Sequence, residues 1–126
     1  MKVIIAGSRT LNNMKYLDIA TTTAFNSWIS KDQDNFKYYM NPEIVSGGAQ
    51  GIDFCAELYA KKHNFNFKEF LAEWDVHGRS AGYIRNYAMA QYADALIAIW
   101  DGKSKGTLNM INTMANLNKL VFVYCP

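Results

Sequence analysis

Five short apolar runs separated by segments of helical period predict an α/β protein: a single Rossmann-like, doubly wound parallel sheet of about five strands with helices on both faces. Two further observations support this class. The runs lack the in-out alternation of a sheet with one wet face, as expected of strands covered on both sides. Glycine lies in four of the loops that follow them, where a parallel sheet delivers its loops to one carboxyl edge. With 126 residues, half of them hydrophobic, the chain is predicted to form one domain over 1–126 around one core.

Lys2 to Ala6 is the first strand, ending in Gly7-Ser8-Arg9. Leu17, Ala20, Thr21, Ala24 and Trp28 then recur at helical spacing and predict a helix over about 13–30, with Asn12 or Asn13 as its cap. Lys31 to Pro42 is polar, closes with Asn41-Pro42 and reads as a loop. Ile44 to Ser46 is the second strand. Ile52, Cys55, Ala56 and Tyr59 mark the buried face of a helix over about 50–63, and Phe65 to Leu71 reads as the third strand. Ala72 to Arg79 is expected to be a long loop. Ala81, Ile84, Ala88 and Tyr92 predict a helix over about 80–92, packed through those residues. Ala95 to Trp100 is an almost wholly apolar strand, Thr107 to Leu117 a helix with Leu108, Ile111 and Ala115 inward, and Leu120 to Tyr124 the last strand.

Composition excludes several classes. The net charge is only +2 and the 13 basic residues are scattered, so duplex nucleic acid is not an expected partner, whereas a small anionic ligand fits. Two cysteines, Cys55 and Cys125, are too few for a disulfide framework and read as buried, inert thiols. His63 and His77 with those cysteines make no zinc spacing, so no metal is expected. The first residues hold too short an apolar run for a signal peptide, and no later run approaches the roughly 18 residues of a membrane span, so a cytoplasmic protein with no membrane partner is expected. Abundant Asn, Lys and Tyr point to an AT-rich genome, of a phage or a low-GC bacterium; phage origin would place the protein in the host cytoplasm.

The loops hold the candidate chemistry. Gly47-Gly48 lead into a helix whose amides at about 49–52 would face an anion, with Asp53 in its first turn. Asp53 can complement the helix dipole, accept from a ribose hydroxyl or pair with Arg9. Glu57, one turn on, could join Asp53 as an acid/base couple or stand as a salt-bridged carboxylate, so these two are the catalytic candidates. In the third loop Trp74 can stack on a base or fill the core. Arg79 and Arg85 suit phosphate, and Asn86 suits a base edge or ribose. Arg85 could instead bridge loops through Asp101 or Asp53, and His77 is an acid/base candidate without a visible partner. The fourth loop, Asp101 to Thr107, brings the hydroxyls of Ser104 and Thr107 and the amides around Gly106 to a helix start. Neither a Walker loop nor a G-x-G-x-x-G fingerprint is present, and no cofactor is assigned.

Gly7-Ser8-Arg9, the Val45 to Asp53 stretch, Gly78 with Ala81-Gly82 and Arg85-Asn86, Met89, Ala93-Asp94 and Ser104-Lys105-Gly106-Thr107 together resemble the SLOG superfamily. The likeness is greatest to its small YspA-type branch, related to the LOG enzymes and to DprA. It runs over about residues 2–124. The resemblance implies a sheet that binds a nucleotide or nucleotide-derived ligand at its carboxyl edge, often as a homo-oligomer. It carries binding roles to Gly7, Ser8, Arg9, Gly47, Gly48, Asp53, Arg85, Asn86, Ser104, Gly106 and Thr107; the loop reading adds Trp74, Arg79 and Asp101. LOG enzymes hydrolyse the N-glycosidic bond of a modified adenosine monophosphate with a glutamate just beyond the matching threonine. Here Leu108-Asn109-Met110-Ile111 follow Thr107, so binding without catalysis is the expectation unless Asp53, Glu57 or Asp101 supplies the negative charge. The rival readings are a nucleoside monophosphate hydrolase, a phage sponge for an immune signalling nucleotide and, against the low charge, a DprA-like single-strand binder.

Overall fold

The computed structural model describes residues 1–48 and 51–126. Its elements run β1 (Lys2–Gly7), α1 (Met14–Lys31), α2 (Phe36–Met40), β2 (Glu43–Ser46), α3 (Ile52–His63), β3 (Phe67–Glu69), α4 (Trp74–His77), α5 (Ala81–Tyr92), β4 (Ala95–Ile99), α6 (Lys105–Asn116) and β5 (Leu120–Tyr124). The strands form one all-parallel sheet in the order β3-β2-β1-β4-β5. This is the predicted Rossmann-like class.

Alternate residues of each central strand feed opposite layers. Val3, Ile5, Ile44 and Ile97 pack with Leu17, Ala24 and Trp28 of α1 and Ile52 and Ala56 of α3. Ile4, Ala6, Val45, Leu96 and Ala98 pack with Met89 and Ala90 of α5 and Met110 and Met114 of α6. Strand β4 is buried along its whole length, which is why its sequence shows no polar alternation. Helix α1 buries the five residues its periodicity predicts and starts at Asn13, whose side chain accepts from the Lys15 amide at 2.9 Å.

Four expectations need correction. The 31–42 segment is not all loop: a 3-10 turn (Gln33–Asn35) and α2 form there. Asp32 organises them, accepting from Asn35 at 2.9 Å and from the hydroxyl of Tyr39, a buried ring, at 2.8 Å. The 72–79 segment likewise contains α4 and a 3-10 turn (Gly78–Ser80), nucleated where Val76 and His77 donate to the Glu73 carbonyl. Two helices are rotated from their predicted faces. α5 buries Ala81, Asn86, Met89 and Ala90 and exposes Ile84, while α6 buries Thr107, Met110 and Met114 and exposes Leu108. Finally, Cys55 is buried as expected but Cys125 is exposed. Among the described residues no helix is long and apolar enough to cross a membrane.

Candidate functional site

β1 lies between β2 and β4, so successive connections run outward from it in opposite directions and their loops part at its carboxyl end. Open parallel sheets place their ligand crevices at such a point. The four glycine loops do meet there. Two connected hollows result: an outer cleft of about 610 Å³ and an inner recess of about 120 Å³, with Arg9, Arg85, Asn86 and Gly106 lining both.

The loops pack closely because two glycines let them. A Cβ on Gly51 would lie 2.6 Å from the Arg9 carbonyl oxygen, and Gly51 has φ of +77°, a conformation unfavourable to side chains. A Cβ on Gly47 would lie 2.6 Å from Nη1 of Arg85, because that guanidinium lies against the turn and donates to the Gly47 carbonyl at 2.6 Å. Part of the glycine signal therefore reflects loops seated on one another. Ser46 adds to this: its buried hydroxyl donates to the Asp53 carbonyl at 3.2 Å and accepts from the Gly48 amide at 3.2 Å. Ala49 and Gln50, which hold two of the expected anion-facing amides, lie outside the described residues.

In the inner recess the polar groups are largely engaged with each other. Asn86, predicted to lie off the buried stripe, is buried; it donates to the Gly106 carbonyl at 3.2 Å and the Asn109 side chain at 3.0 Å, and accepts from Nε of Arg85 at 3.1 Å. The hydroxyls of Ser104 and Thr107 are 3.2 Å apart, and Ser104 caps α6. Buried Asp53 lines the recess with them. Burial pulls the Arg85 guanidinium below its ordinary pKa, while the nearby Asp53 charge pushes it back up. Of the two proposed bridges from Arg85, the geometry brings Asp53 near rather than Asp101.

Asp101 instead organises its own loop, accepting from the Ser104 and Lys103 amides at 2.8 Å each. These hydrogen bonds, Ser104's first, hold its carboxyl below the ordinary value. Ser8 is buried and joins β1 to β4: its amide donates to the Ile99 carbonyl at 3.0 Å, and its hydroxyl accepts from the Asp101 amide at 3.0 Å. Both residues shape the rim and do not line either hollow.

The outer cleft is different. Arg9 and Arg79 are exposed, and Trp74 is 56% exposed at the cleft wall, which corrects its alternative reading as a core residue. Tyr83, Leu71 and Gly82 also line it and were not nominated from sequence. Tyr83 had a signal: it sits off the predicted buried face, directly after the small Ala81-Gly82 pair that opens the helix. Glu57 is not brought to either hollow and lies 3.7 Å from Lys61, one turn along α3. The described lining of the outer cleft therefore has three guanidinium groups, two aromatic rings and no carboxylate. Such a lining favours a ligand with both negative charge and a flat face.

Over 70 residues the chain is 39% identical to the Gene 61 protein of Mycobacterium phage D29, a stretch covering 51% of this chain and 56% of that protein. The match thus spans little more than half of the phage protein's length. No family model matches the chain. No solved structure matches it either.

Proposed function

We propose that this protein is a SLOG-type domain that binds a nucleotide or nucleotide-derived signalling ligand at the carboxyl edge of its sheet, without catalysis. One observation supports the reading above others: Arg9, Arg79, Arg85, Trp74 and Tyr83 line one cleft of about 610 Å³ at the switch point of strand order. The volume falls in the range of small-molecule sites. Phosphate would meet the arginines, and a base would stack on an aromatic ring. The test is mass spectrometry of whatever leaves the purified protein on denaturation, followed by calorimetry with a panel of nucleoside mono- and diphosphates and cyclic nucleotides. Recovery of a nucleotide and measurable heat with one class of the panel is the expected result. Heats absent throughout the panel, with no nucleotide released, would refute it.

Asp53 favours a second reading, an N-glycosidic hydrolase of nucleoside monophosphates, because its carboxylate lines the inner recess beside Arg85. A buried negative charge is what an oxocarbenium-like transition state requires. Free base released from a monophosphate panel, and abolished in Asp53→Asn, would establish it. The phage relative supports a third setting for the binding reading, in which the protein acts in the host cytoplasm as a sponge for an immune signalling nucleotide. A sponge returns its ligand intact after heating, whereas a hydrolase returns base and sugar phosphate.

A further inference from the structure

Beside the cleft, a second hollow of about 510 Å³ lies between the start of α1 and the first two turns of α3. Gly51, Phe54, Cys55 and Leu58 stand at i, i+3, i+4 and i+7, one stripe along α3, and Asn12 and Met14 line the same space from the entry to α1. Cys55 is 4% exposed and belongs to the core beneath, whereas Phe54 and Leu58 are 59 and 42% exposed. Single exposed apolar side chains are ordinary. These two differ in walling a concave space together with residues of another element. One turn further along both helices, Asp18 and Lys62 approach to 3.9 Å and bridge them.

We propose that this hollow is a second ligand site, for an uncharged, flat aromatic small molecule. Its described lining holds no charged side chain, in contrast to the three guanidinium groups of the cleft, and an ion moved into it would lose hydration without gaining a partner. Burial pushes the Cys55 thiol up, so the floor stays neutral as well. The Phe54 ring and the sulfur atoms of Met14 and Cys55 favour an aromatic face over a saturated chain. Asn12, exposed at the border, offers a donor and an acceptor to a polar atom of the guest. A mostly apolar concavity with few polar groups, in a volume of roughly 300–1,000 Å³, is the usual make-up of a small-molecule site. The hollow also adjoins the cleft: Gly48 lines both, and Gly51 packs on the Arg9 backbone, where a Cβ would lie 2.6 Å from the carbonyl oxygen. An occupant therefore bears on the arginine wall of the cleft; that consequence rests on the ligand reading proposed above, and the aromatic site itself does not.

Titration of the full chain with indole, followed through the methyl NMR signals of its methionines, tests the site without any nucleotide. Saturable shifts at Met14, with a dissociation constant of about 1 mM or below, are expected, and none at Met89 or Met110 of the inner recess. Indole-3-acetate, the same ring with a carboxylate, should bind less tightly by about tenfold or more. Leu58→Asp should weaken indole binding by about tenfold or more, and Phe54→Ser, at the more exposed of the two wall positions, decides where Leu58→Asp does not fold. Absence of any shift at Met14 up to the solubility limit of indole would overturn the proposal, as would undiminished binding to a folded variant or equal binding of indole-3-acetate. N-acetyltryptophanamide binding more tightly than indole by about tenfold would overturn it too, in favour of an aromatic side chain of a partner protein as the occupant.

Discussion

The inner recess and the outer cleft share four lining residues yet are held by different means. In the recess nearly every polar side chain already has a protein partner: Asn86 reaches α6, Arg85 holds Gly47, and Ser104 holds Thr107. In the cleft the wall side chains Arg9, Arg79 and Trp74 stand in solvent. The same glycine-rich rim therefore contains a rigid floor and an open wall. Preorganised groups and adaptable groups are both needed at a ligand site, and here they are spatially separated.

The comparison breaks most completely at Gly51. Gly51→Ala places a methyl group against the Arg9 backbone at a positive φ, forcing the loop after β1 and the start of α3 apart. A stability loss of about 3 kcal/mol or more is expected, combining backbone strain with overpacking, and urea unfolding would read it. Arg85→Ala should act on both compartments: affinity for a nucleotide of the class proposed falls by about 1.5–3 kcal/mol, and stability falls by about 1 kcal/mol as the Gly47 carbonyl loses its donor. If calorimetry finds affinity unchanged, Arg85 belongs to the floor alone.

Arg79→Ala sharpens the contrast from the other side. An exposed wall residue should lose about 1 kcal/mol of affinity while the unfolding midpoint moves by no more than about 0.5 kcal/mol in stability. The smallest effect is expected at Asp101. Its folded pKa is depressed, so its contribution is fully present above the ordinary carboxylate value of about 3.9 and is lost as pH falls through the lower folded value. The wild type should be more stable than Asp101→Asn at neutral pH, and the two unfolding curves should converge in acid. A difference that persists unchanged down to the lowest accessible pH would mean that charge is not what holds this loop.

Much of this fold was legible because the strands and α1 are decided by local pattern. The buried residues of α1 follow from 3.6-residue spacing, and β4 from an uninterrupted apolar run. The misread parts depend on distant partners. In α6 two apolar stripes compete, Leu108-Ile111-Ala115 and Met110-Met114. The pairing of Thr107 with the Ser104 cap turns Thr107 inward and carries Met110 and Met114 in with it. Asn86 lies off the stripe that Ala81, Ile84, Ala88 and Tyr92 define, and the partners that offset its burial lie 20 and 23 residues away. The site shows the same division. Glycines and arginines mark loops that the structure brings to one edge of the sheet, and the i, i+4 pair of Glu57 and Lys61 agrees with the salt-bridged alternative for Glu57, but local sequence did not indicate that Asn86 and Ser8 are tied to backbone from other elements.

The tie made by Ser8 also bears on which bank of the hollow can loosen. It stitches the β1 and β4 loops together through two hydrogen bonds, so spreading them apart means breaking both at once. On the opposite bank the bonds described for α4 are local ones, from Val76 and His77 to Glu73 and from Ser80 to His77. Local opening at this edge is therefore expected on the α4 bank, read as faster amide exchange over 74–80 than at Ser8 and Asp101, while the seam between the two strands stays closed.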